Sequence, residues 1–141
     1  MMRIENKRWF QSWMRNINKE LGISPKVEIN YIKSFDEYID DGIASGNNII
    51  MNIRESMSEE SIRSLYAHEA RHIWQFKFKP DTLWNEKDRR VLIKALIKHD
   101  IELSKMSNRV ARKKFEEKYH ELLPEEVDAK IYAYTKTGYK E

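Results

Sequence analysis

The spacing of the apolar residues changes twice along the chain, and both changes fall beside residues that stop or start elements, so the order of elements is constrained first. Across residues 7–21, Trp9, Phe10, Trp13, Met14, Ile17 and Leu21 recur at helical spacing, and Gly22 stands where a helix stop belongs. After Pro25 the period becomes two, with Val27, Ile29 and Tyr31 alternating with polar residues as in a half-buried strand. Residues 34–41 admit a short helix, since Ser34 and Glu37 have capping-box spacing, or a turn leading to Asp41-Gly42. Gly46-Asn47-Asn48 then turns the chain into Ile49, Ile50, Met51, Asn52 and Ile53, a run with the length and β-branched content of a strand. This gives a small sheet, expected to have three strands and hairpin character.

Helical spacing returns at Ser58, a residue suited to cap a helix whose first turn carries Glu59 and Glu60, where the helix dipole favours acid. That helix should run to about residue 78, before Pro80. Residues 86–106 (Val91, Leu92, Ala95, Leu96, Leu103) and 108–123 (Val110, Phe115, Tyr119, Leu122) read as two more helices or one bent one. Pro124 suits the first turn of a last helix over residues 125–136, closed by Gly138. Helix, sheet, then helices is an α+β order.

A chain of 141 residues, 40% hydrophobic, fits one compact domain over residues 1–141, and four Gly with three Pro leave no long flexible linker. With no cysteine, any metal must be held by His, Asp or Glu, and there are four histidines. No stretch approaches the roughly 18 apolar residues of a membrane span, and the first residues lack the apolar core of a signal peptide. A cytoplasmic address and no membrane partner are expected. The 26 basic residues face 23 acidic ones, a small excess for a nucleic-acid binder. The basic residues between Lys87 and Lys118, Arg89, Arg90, Arg109 and Arg112 among them, are interrupted by acid and read as a solvated helix face.

Inside the Ser58 helix lies His68-Glu69-Ala70-Arg71-His72, the pattern His-Glu-x-x-His. Two histidines four apart project from one helix face about 6 Å apart, so both imidazoles can bind one Zn²⁺ while Glu69 serves as general base toward a water. At 100° per residue the same face collects Ile62, Leu65, Tyr66, His68, Glu69, His72, Ile73 and Phe76, whereas Glu60, Arg63, Arg71 and Gln75 fall on the other side. A carboxylate among core-facing residues costs several kcal/mol unless it is compensated. A metal would supply that compensation; the competing reading is a core-edge helix whose two His and Glu bond to neighbours.

The motif, the strand at Ile49 to Ile53 read as an edge strand, and a later helix reading Pro124-Glu125-Glu126-Val127-Asp128-Ala129-Lys130 together resemble the minimal gluzincin arrangement. The chain resembles the ImmA/IrrE-like small metallopeptidases of phages and mobile elements over about residues 49–133. That resemblance implies a zincin fold and a third zinc ligand from a Glu-x-x-Ala helix, which falls on Glu126, with Ala129 completing the match. Related zincins carry Asp or Asn right after that Ala to hold a histidine; here it is Lys130, so another partner is needed, and Asp128 is the candidate. The resemblance also implies that a peptide or protein substrate lies extended along Ile49, Ile50, Met51, Asn52 and Ile53, pairing through its backbone.

From the residues themselves, Glu126, Ala129 and Ala133 share a helix face and Glu125 lies about 100° away as a rival ligand. His99, on the stripe of Leu92, Ala95, Leu96 and Leu103, reads as a buried core residue or an alternative third ligand. His120 lies off the Phe115, Tyr119, Leu122 stripe; it reads as a surface residue or, with Tyr132 or Tyr134, as a donor to the oxyanion formed when water attacks a carbonyl. The expectation is a zinc-dependent metallopeptidase with one Zn²⁺ per chain. The alternatives are a catalytically relaxed zincin-fold module that binds protein or nucleic acid, and hydrolysis of something other than a peptide.

Overall fold

The computed structural model describes residues 3–33, 40–78, 86–120 and 123–140, apart from the side chains of Glu86, Asp88, Arg89, Leu92, Leu96, Asn108, Arg112 and Glu116. The helix-or-turn expectation at 34–41 therefore lies largely outside the described residues, as do Pro80, Leu122, the side chains of Leu92 and Leu96, and two of the basic side chains, Arg89 and Arg112. The fold is α+β, in two compact units: Met1–Phe78 with Asp128–Glu141, and Lys79–Val127.

In the first unit, helix α1 (Arg8–Leu21) buries Phe10, Ile17 and Leu21, the apolar face read from the sequence. Gly22 ends it in the left-handed conformation at φ 67°, and the N–H groups of Gly22 and Ile23 both reach the Asn18 carbonyl, a closure that a side chain at this φ would strain. Strand β1 (Lys26–Ile32) runs parallel to β3 (Asn48–Arg54), with Val27 opposite Ile49 and Tyr31 opposite Ile53. Strand β2 (Gly42–Ser45) runs antiparallel to β3 through the two-residue turn Gly46-Asn47, with Gly46 at φ 61°. The strand order is β1-β3-β2.

The order overturns one expectation. Ile49, Ile50, Met51, Asn52 and Ile53 form the middle strand, hydrogen-bonded on both sides, and so offer no free edge to a peptide. Ile49, Met51 and Ile53 are buried, and the Asn52 amide donates to the Asp40 carbonyl at 2.6 Å.

Helix α2 (Glu59–Phe78) covers the sheet. Ser58 caps it as expected, its hydroxyl accepting from the Ser61 N–H at 3.1 Å. Ile62, Tyr66, Ala67, Ala70 and Ile73 join Phe10, Ile49, Met51 and Ile53 in one core. Phe10 meets Tyr66 edge to face at 6.0 Å, and the Tyr66 hydroxyl donates to Asn18 Oδ1 at 2.5 Å.

In the second unit, helix α3 (Glu86–His99) and helix α4 (Asn108–Tyr119) flank a 3-10 turn (Leu103–Lys105). They are separate helices. Asp100 breaks the run: its carboxylate accepts from the Leu103 N–H at 3.0 Å, Lys118 Nζ at 2.7 Å and the Tyr119 hydroxyl at 2.5 Å, which holds its pKa well below the usual carboxylate range. The small core comprises Leu103, Ala111, Phe115 and Leu123 with Ile93, Ile97, Met106 and Tyr119. Ile93 and Ile97 take the inner face of α3, and Val91, about 160° round from Ile93, is therefore 61% exposed. Ala95 and His99 are exposed too, so His99 is not the buried residue expected; Val110 is likewise exposed.

Helix α5 (Pro124–Thr137) has Pro at its first position, and the N–H of Gly138 (φ 71°) reaches the Tyr134 carbonyl at 2.7 Å. Both Glu126 and Asp128 lie on this helix. No helix among the described residues is long and apolar enough to cross a membrane.

Candidate metal centre

The face of α2 read from the sequence places His68, Glu69 and His72 in buried positions. Being four apart on one helix, the two rings meet edge to face with centroids 4.9 Å apart, and His72 stacks on Phe76 at 6.5 Å. Their Nε2 atoms converge to 3.2 Å. A tetrahedral zinc with bonds of about 2.0–2.1 Å holds neighbouring donors about 3.3 Å apart, so this spacing suits two imidazoles sharing one ion.

The carboxylate of Glu126, in the first turn of α5, joins them: the ligand atoms of His68, His72 and Glu126 all lie within 4.8 Å of one another, and all three residues are buried. This cluster could hold a metal ion. Two imidazole nitrogens and one carboxylate make a three-donor set that leaves a position open, the composition used by catalytic zinc. Among the described residues Glu125, Asp128 and His99 do not belong to the cluster, although Glu125 is buried beside Glu126. Ala129 and Ala133, fully buried on the same face, allow α5 its close packing.

The partner of His72 is one that sequence reasoning missed. Gln75, expected on the outer side of α2, is fully buried, with Oε1 2.8 Å from His72 Nδ1. Its amide nitrogen donates to Asp128 Oδ2 at 3.0 Å. Asp128, expected to serve a histidine, thus reaches His72 through Gln75. The available signal was spacing, since a residue three beyond a ligand is its neighbour on the helix. Arg71 clamps Asp128 from the other side, Nε to Oδ2 at 2.7 Å and a second N–H to Oδ1 at 3.2 Å, while its guanidinium lies 3.7 Å over the Trp74 ring. Burial raises the pKa of Asp128, but the bonds from Arg71 and Gln75 outweigh it and hold the carboxyl below its ordinary range.

Glu69 lies against β2. A Cβ built on Gly42 would stand 2.8 Å from both Glu69 Cγ and Leu65 Cδ1, so the absence of a side chain there is what admits Glu69. Among the described residues β2 pairs on one side only, which makes it, rather than β3, the strand edge nearest Glu69.

The three candidate oxyanion donors part company. His120 Nε2 is 3.1 Å from Glu126 Oε1, with the His120 side chain 60% exposed. The Tyr132 hydroxyl donates to Glu20 Oε1 at 3.0 Å, and burial together with that carboxylate pushes its pKa up. Tyr134 is exposed two turns of α5 beyond Glu126, about 12 Å along the axis. Lys130 is half-buried.

No family model matches the chain, and neither the curated proteins nor the solved structures include a match to it.

Proposed function

We propose that this protein is a zinc-dependent metallopeptidase of the minimal gluzincin kind, with one Zn²⁺ per chain held by His68, His72 and Glu126. The observation that carries the reading is the convergence of these three buried donors beside a buried Glu69 on the same helix. A zinc ion bound there would polarise a scissile carbonyl and acidify a water. Glu69, one residue from a ligand and packed against β2, takes the proton from the attacking water and hands it to the leaving amine. The edge of β2, with Ile43 exposed on it, offers backbone groups for an extended peptide to pair with, in place of the buried strand β3. His120, beside Glu126 and open to solvent, is the donor best placed to meet developing negative charge at the carbonyl oxygen.

The test is elemental analysis of chain purified without a metal-affinity tag or chelator. About one zinc per chain, lost in His72→Ala and in Glu126→Ala, supports the site. Glu69→Gln should keep the zinc and the fold and abolish cleavage of peptide substrates. A chain that refuses added Zn²⁺ refutes the metal centre, and activity surviving in Glu69→Gln refutes the mechanism.

A further inference from the structure

We propose that Gln75 is a positioning residue that sets the tautomer of His72, so that the ring presents a bare Nε2 to the metal cluster; this rests on the metal-centre reading above. The geometry fixes the order of cause and effect. The Asp128 carboxylate, clamped by two N–H groups of Arg71, accepts hydrogen bonds and donates none. The Gln75 group facing it at 3.0 Å is therefore the amide NH₂. A planar amide with its nitrogen so committed must turn its oxygen the opposite way, and that oxygen lies 2.8 Å from His72 Nδ1. An amide oxygen accepts, so Nδ1 carries the proton and Nε2 keeps its lone pair, aimed at the point where His68 Nε2 also arrives, 3.2 Å away.

Gln75 is fully buried, and its neighbours hold it in this pose. The arrangement links the charge of Asp128 on α5 to a ring nitrogen on α2 through the Gln75 amide. It also ties two features of α5 together: the helix that brings Glu126 to the cluster brings Asp128 to the amide that orients His72. Partners of this kind raise ligand basicity and hold the ring in place, and losing one costs about 10–100-fold in metal affinity.

Two measurements test it. Long-range ¹H–¹⁵N NMR of the unmutated, metal-free chain reads the His72 tautomer directly: a protonated Nδ1 is expected, and a protonated Nε2 overturns the proposal. Zinc affinity, from competition with a chromogenic chelator, should fall about 10–100-fold in Gln75→Leu. It should fall also in Gln75→Glu, which sets a second carboxylate 3.0 Å from Asp128. Zinc binding in Gln75→Leu within threefold of the parent overturns the proposal. A parent chain that takes no zinc refutes the metal centre instead, and the tautomer measurement, which needs neither zinc nor a variant, still decides the role of Gln75.

Discussion

Gly42→Ala places one methyl group where the structure leaves no room, and its consequence can be worked out from distances. The new Cβ would stand 2.8 Å from Glu69 Cγ, 2.8 Å from Leu65 Cδ1 and 3.1 Å from Glu69 Cδ. Carbon atoms pack at about 3.5–4.0 Å, so relief requires Glu69 and Leu65, or the β2 backbone, to move by roughly 0.5–1 Å. Overpacking of this kind costs about 1–3 kcal/mol. For a chain of this length that is a fall of about 3–10 °C in melting temperature, and urea denaturation gives the free energy directly. Zinc affinity should change little, because no ligand touches the new methyl. Cleavage should drop by about 100-fold, since a displacement near 1 Å of a catalytic group has that effect. A double-mutant cycle isolates the cause: in a Glu69→Ala background most of the clash with residue 69 is gone, and the cost of Gly42→Ala should shrink by about 1 kcal/mol. Strict additivity within about 0.3–0.5 kcal/mol would refute the contact between β2 and Glu69. Gly46→Ala is the control, since a Cβ there meets nothing but must adopt φ 61°, and it should lower stability without touching zinc binding or cleavage.

Burial pushes the pKa of the Tyr66 hydroxyl above its ordinary value, so the folded state favours the neutral form. Stability should be full below about pH 10 and fall as pH rises beyond it; Tyr66→Phe should flatten that decline in urea titrations while losing about 1 kcal/mol at pH 7 with the Asn18 bond. Asp100 has the opposite sign: Lys118, Tyr119 and the Leu103 N–H hold it down, so its contribution is present above about pH 4 and lost as pH falls below that. Protection of amides in α3 and α4, relative to their intrinsic exchange at each pH, should fall in acid before that of α2, and Asp100→Asn should remove that difference.

The elements were legible where a stop signal coincided with a change of period. Gly22, Ser58, Pro124 and Gly138 all mark ends that the structure keeps. Strand order was not legible from periodicity, yet one clue was on the page. Ile49-Ile50-Met51-Asn52-Ile53 is a continuous apolar run interrupted once, which suits a central strand covered on both faces better than an edge. On α3 the sequence offers the stripe of Val91, Leu92, Ala95 and Leu96, yet Val91 and Ala95 are exposed while Ile93 and Ile97 pack on the core; stripes of similar hydrophobicity compete there, and only tertiary packing chooses. His68 and His72 could be named from sequence because helical spacing brings them together, whereas Glu126 was singled out over Glu125 by the resemblance alone, and its carboxylate is the one that joins the cluster. Gln75 escapes a reading by hydrophobic face, because a glutamine on the polar side of the wheel gives no sign of burial, although its place three beyond His72 marks it as that ring's neighbour.

The charges near the centre give a last consequence. Arg71 balances Asp128 through two hydrogen bonds, and both sit at the flank of the cluster. Glu69 and Glu126 are buried with two imidazoles, and a carboxylate withdrawn from water costs several kcal/mol unless positive charge or hydrogen bonding offsets it. One divalent ion on the three donors would offset both carboxylates at once, whereas a monovalent ion would offset one. Glu69→Gln removes a charge without removing a ligand. The metal-free variant should therefore be more stable than the parent by about 1 kcal/mol or more, and it should bind zinc about tenfold more weakly, since the ion loses a nearby opposite charge. Urea denaturation with a chelator present measures the first effect, and chelator competition the second. If Glu69→Gln leaves both quantities where they are in the parent, the Glu69 charge is not felt at the cluster, and the role given to it as proton carrier fails with it.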